Sequence, residues 1–475
     1  MEGDAVDPRV VLRERRMNLK QYGVVALCVL INMIDGYDIL ALAQAASALK
    51  REWGLTDAML GTLFSMNLVG MAFGALGVSP VADTWGRRPA ILICLLFMSS
   101  GMMISALSGG FLTMAAGRLI TGIGIGGMTS TAGTLALEYA SQKRREFAAS
   151  TVAAAYPVGT ILGAYVAIAV LDGYGWRGIF WVGSALSGML FPIAFIWLPE
   201  SLDFLLTRQP KGALTATNKV LKRMRVPSVP ALPPLPSGSA PGAFAAREVA
   251  SPLHLRELAK LCVAHALNMF AWYYIINWGP PLVSGAAGLD EAGARYSAWV
   301  SYGGIVGGMA TGWMCGIVGV KRMMWLTMTA LAILIALFGQ FVDDRQVLVV
   351  LGPFIGAALF GSATANWLTI AYAFPPQLRA TGLGFATTAG RVGSIFGPLA
   401  GGFLLDAGWT VGAVCAAMAV PAMLSAATFS QARRVEPKGR QGQVSSPPGG
   451  PAVRPAPKGG GRAKTGRAAR NGGKL

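Results

Sequence analysis

From residue 21 onward the chain alternates between long apolar runs and polar breaks. Each run is close to or above the roughly 20 residues that a helix needs to cross a hydrocarbon core. Twelve spans are predicted, over 21–46, 58–82, 89–109, 111–138, 147–172, 176–198, 259–287, 291–318, 322–342, 346–373, 377–406 and 408–430. Most breaks are short. The longest separates spans six and seven and has a Pro-rich core from Pro227 to Pro241, which reads as a linker between two bundles. The pattern predicts an all-α membrane protein of twelve transmembrane helices in two six-helix bundles. Its parts are an N-terminal stretch 1–20, a first bundle 21–198, a linker 199–258, a second bundle 259–430 and a tail 431–475.

Composition agrees with that pattern. Of 475 residues, 53% are hydrophobic and only 13% charged, too apolar for an ordinary soluble protein. The charges that remain are sorted by side. With both termini and every even-numbered connection assigned to the cytoplasm, only Lys50, Arg51, Arg177, Arg295 and Arg345 fall on the opposite face. That asymmetry follows the positive-inside rule. A charged N-terminus leads straight into the first span, so no cleavable signal peptide is expected. The net charge of +18 is concentrated in the Pro-, Gly- and Ser-rich tail, predicted to be disordered and to fix topology, with no nucleic-acid partner. Cys28, Cys94, Cys262, Cys315 and Cys415 are scattered singly, with no metal or redox spacing. No G-x-x-x-x-G-K-[ST] loop occurs, which argues against an ATP-driven pump. Two histidines and no Cys/His cluster leave little for catalysis, so neither enzyme activity, nor a cofactor, nor a metal is expected.

Charges inside spans carry the chemistry. An intramembrane carboxylate is expensive and marks an ion or substrate path. Asp35 and Asp38 stand in span one as Asp-Gly-Tyr-Asp, Arg118 in span four and Arg391 in span eleven. At a helical rise of about 1.5 Å per residue, Asp35 lies about 22 Å from a helix start near Lys20. The same rise puts Arg118 about 12 Å in from the opposite end of its span. These depths match, so an Asp35/Asp38–Arg118 network is expected, with Arg391 nearer the middle. His265 is expected to be a packed, hydrogen-bonded histidine. Glycines at four-residue steps (Gly122 and Gly126; Gly393, Gly397 and Gly401) permit close helix contact, either as static packing or as surfaces that slide between bundles.

The two halves repeat. Gly86-Arg87-Arg88 corresponds to Gly319-Val320-Lys321, and 135–146 to 368–379, both at an offset of 233 residues. Such six-helix repeats are a signature of transporters with a central site. "ADTWGRRP" (82–89), "GRLITGIGIGG" (117–127) and "LPESLDFLL" (198–206) resemble the major facilitator superfamily. "DGYD" (35–38), "EYASQKRR" (138–145), "NWGPPLV" (277–283) and the span-eleven block 379–402 resemble its aromatic acid:proton symporter family. Thr84 stands where that family favours a basic residue, and the second-half copy of the loop, "CGIVGVKR", lacks the acid.

The resemblance implies a secondary transporter that takes up a small aromatic carboxylate, hydroxybenzoate-like, with a proton. It implies proton coupling by Asp35 and Asp38, for which the depth estimate offers Arg118 as a partner, and a substrate fork from Arg391. It also implies gating by Asp83 and Arg87. Gly86, which permits the tight turn, and Arg88 are candidates in the same loop, and Glu138 with Arg144 at the end of span four reads either as a gate salt bridge or as a solvated helix end. Tyr37, Tyr156, Asn268, Trp272, Tyr273, Tyr302 and Asn366 are candidates for lining an aromatic-binding cavity. The expected setting is a bacterial inner membrane, with a monomer moving a small organic acid and a proton through the lipid bilayer. Transport of another organic anion, drug:proton antiport and a transporter-like chemosensor are the rival readings.

Overall fold

A computed structural model describes residues 7–233, 252–374 and 378–431. All fourteen elements below are α-helices, and the described residues add a single short 3-10 turn at Gln142–Arg144. The first half comprises α2 (Leu19–Trp53), α3 (Asp57–Thr84), α4 (Arg87–Ala106), α5 (Phe111–Tyr139) and α6 (Arg145–Trp197). The second comprises α9 (Pro252–Ala287), α10 (Asp290–Val318), α11 (Val320–Gln340), α12 (Arg345–Ala373), α13 (Arg379–Asp406) and α14 (Val411–Gln431). Short helices α1 (Pro8–Glu14), α7 (Leu202–Arg208) and α8 (Ala213–Arg223) lie outside these halves. Among the described residues, eight helices are long and apolar enough to cross a membrane. The 53-residue α6 is two helices joined at a kink, where Gly175 adopts φ 63°.

Local chemistry sets the boundaries. Asn18 and Gln21 form a capping box at the start of α2, and Gly54 ends that helix in the left-handed region. Thr56 and Asp344 accept from first-turn N–H groups of α3 and α12. Gly86 opens α4 at φ 108° and Gly319 opens α11 at φ 94°, a conformation that disfavours any Cβ. These two glycines are the pair related by the 233-residue offset. The other repeat segment runs into 375–377, outside the described residues, as does the linker from 234 to 251 and the tail beyond Gln431.

Packing repeats with the sequence. In the first half α2 packs on α6, α3 on α5 and α4 on α6; in the second, α9 packs on α13, α10 on α12 and α11 on α14. The glycine steps serve these contacts within each half. A Cβ at Gly122 or Gly126 would strike the α3 carbonyls of Asn67 or Met71, and at Gly393 or Gly397 the α9 carbonyls of Ala266 or Phe270. The halves meet instead through α3 with α13, α6 with α10 and α2 with α9. The hydrogen bonds between them gather toward one end. Ser47 donates to the Pro281 carbonyl at 3.2 Å, Ser65 to Ile395 at 2.8 Å, and Thr160 meets Ser301 at 2.7 Å. Trp278 seals the same end, donating to the Pro398 carbonyl at 2.9 Å with its ring edge-on to Phe64 at 5.6 Å.

Part of the expected linker is helical. Arg9 and Arg13 of α1 reach Asp203 of α7 at 3.6 and 3.4 Å, and Asn18 donates to the Met224 carbonyl at 2.5 Å. These contacts hold α1, α7 and α8 against the first half.

Candidate functional site

A cavity of about 380 Å³ lies between the halves, away from the sealed end. The first half contributes Asn32, Asp35, Met71, Thr129 and Tyr156; the second contributes His265, Trp272, Tyr273, Phe360, Asn366, Trp367 and Arg391. Its walls are aromatic. Tyr156 faces Phe360 across the halves at 6.2 Å, and Trp272 packs on Tyr273 at 4.8 Å and Phe360 at 5.9 Å.

Asp35 reaches this cavity because α2 and α6 touch at its level. A Cβ at Gly36 would overlap the Tyr156 carbonyl, so only glycine allows the approach. Asp35 is buried, and its Oδ2 accepts from Thr129 at 3.4 Å while Oδ1 has no hydrogen-bond partner among the described residues. Arg391, from the other half, interacts electrostatically with it. The Arg391 guanidinium approaches the Met71 sulfur at 3.7 Å and the Tyr273 hydroxyl, and it forms no ion pair within the described residues. A permanently charged fork in an aromatic cavity suits a carboxylate, which it can bind through two parallel hydrogen bonds.

Three residues along α2 the environment is different. A step of three turns the side chain by about 60° and advances it about 4.5 Å. Asp38 accordingly leaves the cavity and sits beside Gly183 of α6, fully buried, with no hydrogen-bond partner for either carboxylate oxygen among the described residues. Its electrostatic neighbour is Arg118. That guanidinium donates to Ser105 at 2.8 and 3.1 Å, Thr121 at 3.2 Å and the Met102 sulfur at 2.9 Å, and lies 4.7 Å from the Phe180 ring centroid. Arg118 Nη1 has no hydrogen-bond partner among the described residues. The acid–arginine network expected from depth takes the form of two couples, Asp35 with Arg391 and Asp38 with Arg118, which stay linked because Asp35 also acts electrostatically on Asp38; neither is closed into an ion pair among the described residues.

A third cluster occupies the end of the molecule near Tyr139. Arg87 forms an ion pair with Glu138, whose other oxygen accepts from Ser201 at 2.5 Å. Glu200 accepts from the backbone N–H of Arg87, Arg88 and Ser201 at 2.7, 3.2 and 2.8 Å, capping α4. Burial pushes the Glu200 carboxyl above its ordinary range. Arg88 donates to the Phe195 carbonyl at 2.5 Å. Asp83 is exposed and interacts with Arg87, and Arg144 lies over the Phe147 ring at 5.8 Å. All of these partners belong to the first half or to the α6–α7 connection.

Of the expected cavity residues, Tyr156, Trp272, Tyr273, Asn366 and Arg391 line it. Tyr37 instead donates to the Ile179 carbonyl at 2.6 Å within the first half. Asn268 is buried off the cavity wall, and Tyr302 is exposed, its hydroxyl 3.0 Å from that of Tyr165. Thr129, Met71, Phe360 and Trp367 escaped sequence reasoning, because nothing in their local pattern separates a cavity wall from a lipid face. Glu200 was legible only as part of a motif. His265 lines the cavity and is hydrogen-bonded to Asn366.

The model of the Major Facilitator Superfamily matches residues 25–304 and 261–465, and the chain belongs to that family of membrane transporters. It is 28% identical to the 4-hydroxybenzoate transporter PcaK of Pseudomonas putida over 89% of this chain and 95% of the relative. It is 27% identical to the gallate transporter of the same species, over 89% and 94%. The xylose transporter XylE from E. coli, in an inward open conformation, shares the fold with a TM-score of 0.68 at 15% identity, covering 88% of this chain and 98% of that one.

Proposed function

We propose that this chain takes up a small aromatic carboxylate of the hydroxybenzoate type together with a proton, by alternating access. The observation that carries this reading is the cavity in which Arg391 and Asp35, from opposite halves, face each other among aromatic rings. Rings suit a flat apolar ligand, and the arginine suits its carboxylate. Relatives named for 4-hydroxybenzoate and gallate support the substrate class.

In this scheme Asp35 and an incoming carboxylate compete for Arg391. Asp38 is the proton carrier. A carboxyl left without a donor in a dry site is best occupied in its neutral form. When it releases that proton, the charge it regains draws Arg118 from its hydroxyl and sulfur partners, which ties protonation to helix movement in the first half. Substrate alone adds one buried negative charge, and a proton on Asp38 alone leaves one positive charge in excess. Bound together they restore the net charge of the empty protein, so the empty and the fully loaded forms cross between states at lower cost than either half-loaded form.

The topology that fits is twelve spans, counting the kinked α6 as two and including α9, α10 and α13, whose polar cavity and contact residues lower their apolarity. The positive-inside distribution supports cytoplasmic termini. The cavity then opens inward and the sealed end faces outward, in a monomer of the bacterial inner membrane, with bundles at 21–198 and 259–430 and the gate at Arg87–Glu138.

Uptake of labelled 4-hydroxybenzoate into proteoliposomes tests the reading. An inward-directed proton gradient should drive accumulation above equilibrium, and a protonophore should abolish it. Gradient-driven export of the compound, or gradient-independent binding without exchange, would refute it.

A further inference from the structure

One polar pair on the cavity wall has no part in the coupling scheme. His265 of α9 and Asn366 of α12 meet at 2.5 Å between the amide Nδ2 and the ring Nδ1. The amide nitrogen donates, so Nδ1 accepts and the neutral imidazole carries its proton on Nε2. Asn366 is fully buried, yet its Oδ1 has no hydrogen-bond partner among the described residues. An amide oxygen buried without a donor is costly unless a ligand supplies one.

The chemistry of the wall narrows what that ligand group is. Trp272 Nε1 on the same wall also has no hydrogen-bond partner among the described residues, but it can only donate. Asp35 Oδ1 accepts, but it stands with Arg391. A group that must both give a proton and receive a hydrogen bond finds its match at Asn366 Oδ1 and His265 Nε2–H. A ring hydroxyl is such a group. Gly390 keeps the approach free, since a Cβ there would come within 2.5 Å of His265 Nε2. Its neighbour in sequence is Arg391, so one turn of α13 sits beside both the carboxylate fork and the imidazole.

We propose that the His265–Asn366 pair reads a hydroxyl on the substrate ring while Arg391 holds the carboxylate, so that the site selects hydroxylated benzoates over benzoate. This inference rests on the aromatic-carboxylate reading above.

Calorimetric titration of the purified protein in lipid nanodiscs, with benzoate and its 2-, 3- and 4-hydroxy derivatives, tests it. At least one hydroxy isomer should bind wild type about tenfold or more tightly than benzoate. In Asn366→Leu and in His265→Leu that ratio should fall toward one. A substitution that only disturbs packing weakens all four ligands together and leaves the ratio standing. A ratio preserved in both variants, or wild type that does not distinguish benzoate from any hydroxy isomer, would overturn the proposal. If none of the four compounds binds wild type, the aromatic-carboxylate reading itself fails and the proposal with it.

Discussion

Arg51 on α2 and Asp290 on α10 form an ion pair that joins the two halves at the end of the molecule away from the cavity. Its arginine is 60% exposed, so the pair contributes only about 0.2–1 kcal/mol. Asp290→Asn should therefore loosen the sealed end by a modest factor. The check is the labelling rate, by a membrane-impermeant maleimide, of a cysteine introduced at Ser47, which spans the same interface. An increase of up to about fivefold is expected, and an unchanged rate would show that the seal rests on Trp278 and its neighbours alone.

Asp38 has no hydrogen-bond donor among the described residues and interacts electrostatically with Arg118, whereas Asp35 faces the cavity. Asp38→Asn keeps the shape and removes the titrating group. Proton-driven accumulation should vanish, while exchange of internal for external substrate continues. Full accumulation by this variant would move the coupling role elsewhere.

Arg391→Lys preserves charge but replaces a planar fork with a point charge. Affinity for the aromatic carboxylate should drop about tenfold or more, because one of two charge-assisted hydrogen bonds is lost. Titration of the variant against wild type measures this directly, and equal affinity would exclude Arg391 as the carboxylate anchor.

Glu200 bears on stability against pH. Burial raises its carboxyl above the ordinary 4.5, so folding favours the protonated form. Well below the ordinary value the group is protonated in both the folded and unfolded chain. As pH rises through the raised value, the unfolded chain ionises first and wild type loses stability. Glu200→Gln keeps an oxygen for the three backbone donors and has no charge to bury. Its melting temperature relative to wild type should thus increase from pH 4 to pH 7. A difference that shrinks over that range would mean that the charge-assisted bonds to the α4 N-terminus outweigh burial.

The apolar pattern carried the architecture, since a chain with this many long apolar runs has few alternatives to packed helices. Gly86 and Gly319 were recognisable as a related pair, and both take the positive φ that makes glycine necessary. The glycine steps announced close contacts too. Their partners were out of reach of a local pattern, and they bind α3 to α5 and α9 to α13 inside each half.

Within the site, sequence determined which groups are charged and roughly how deep they lie. Depth along a helix is one coordinate, read from the residue count; rotation about the helix and the identity of the facing helix are two more. Asp35 and Asp38 share a depth range and differ in rotation, and only the packed bundle separated the cavity carboxylate from the one beside Arg118. The same holds for His265 and Asn366, 101 positions apart, whose contact exists because α9 and α12 lie against one cavity. The chain alone determined that it crosses a membrane, repeats itself and holds buried charge. Tertiary structure decided which charges meet, which rings enclose them and which polar atoms are left for a ligand, because those are relations between distant segments that no local pattern encodes.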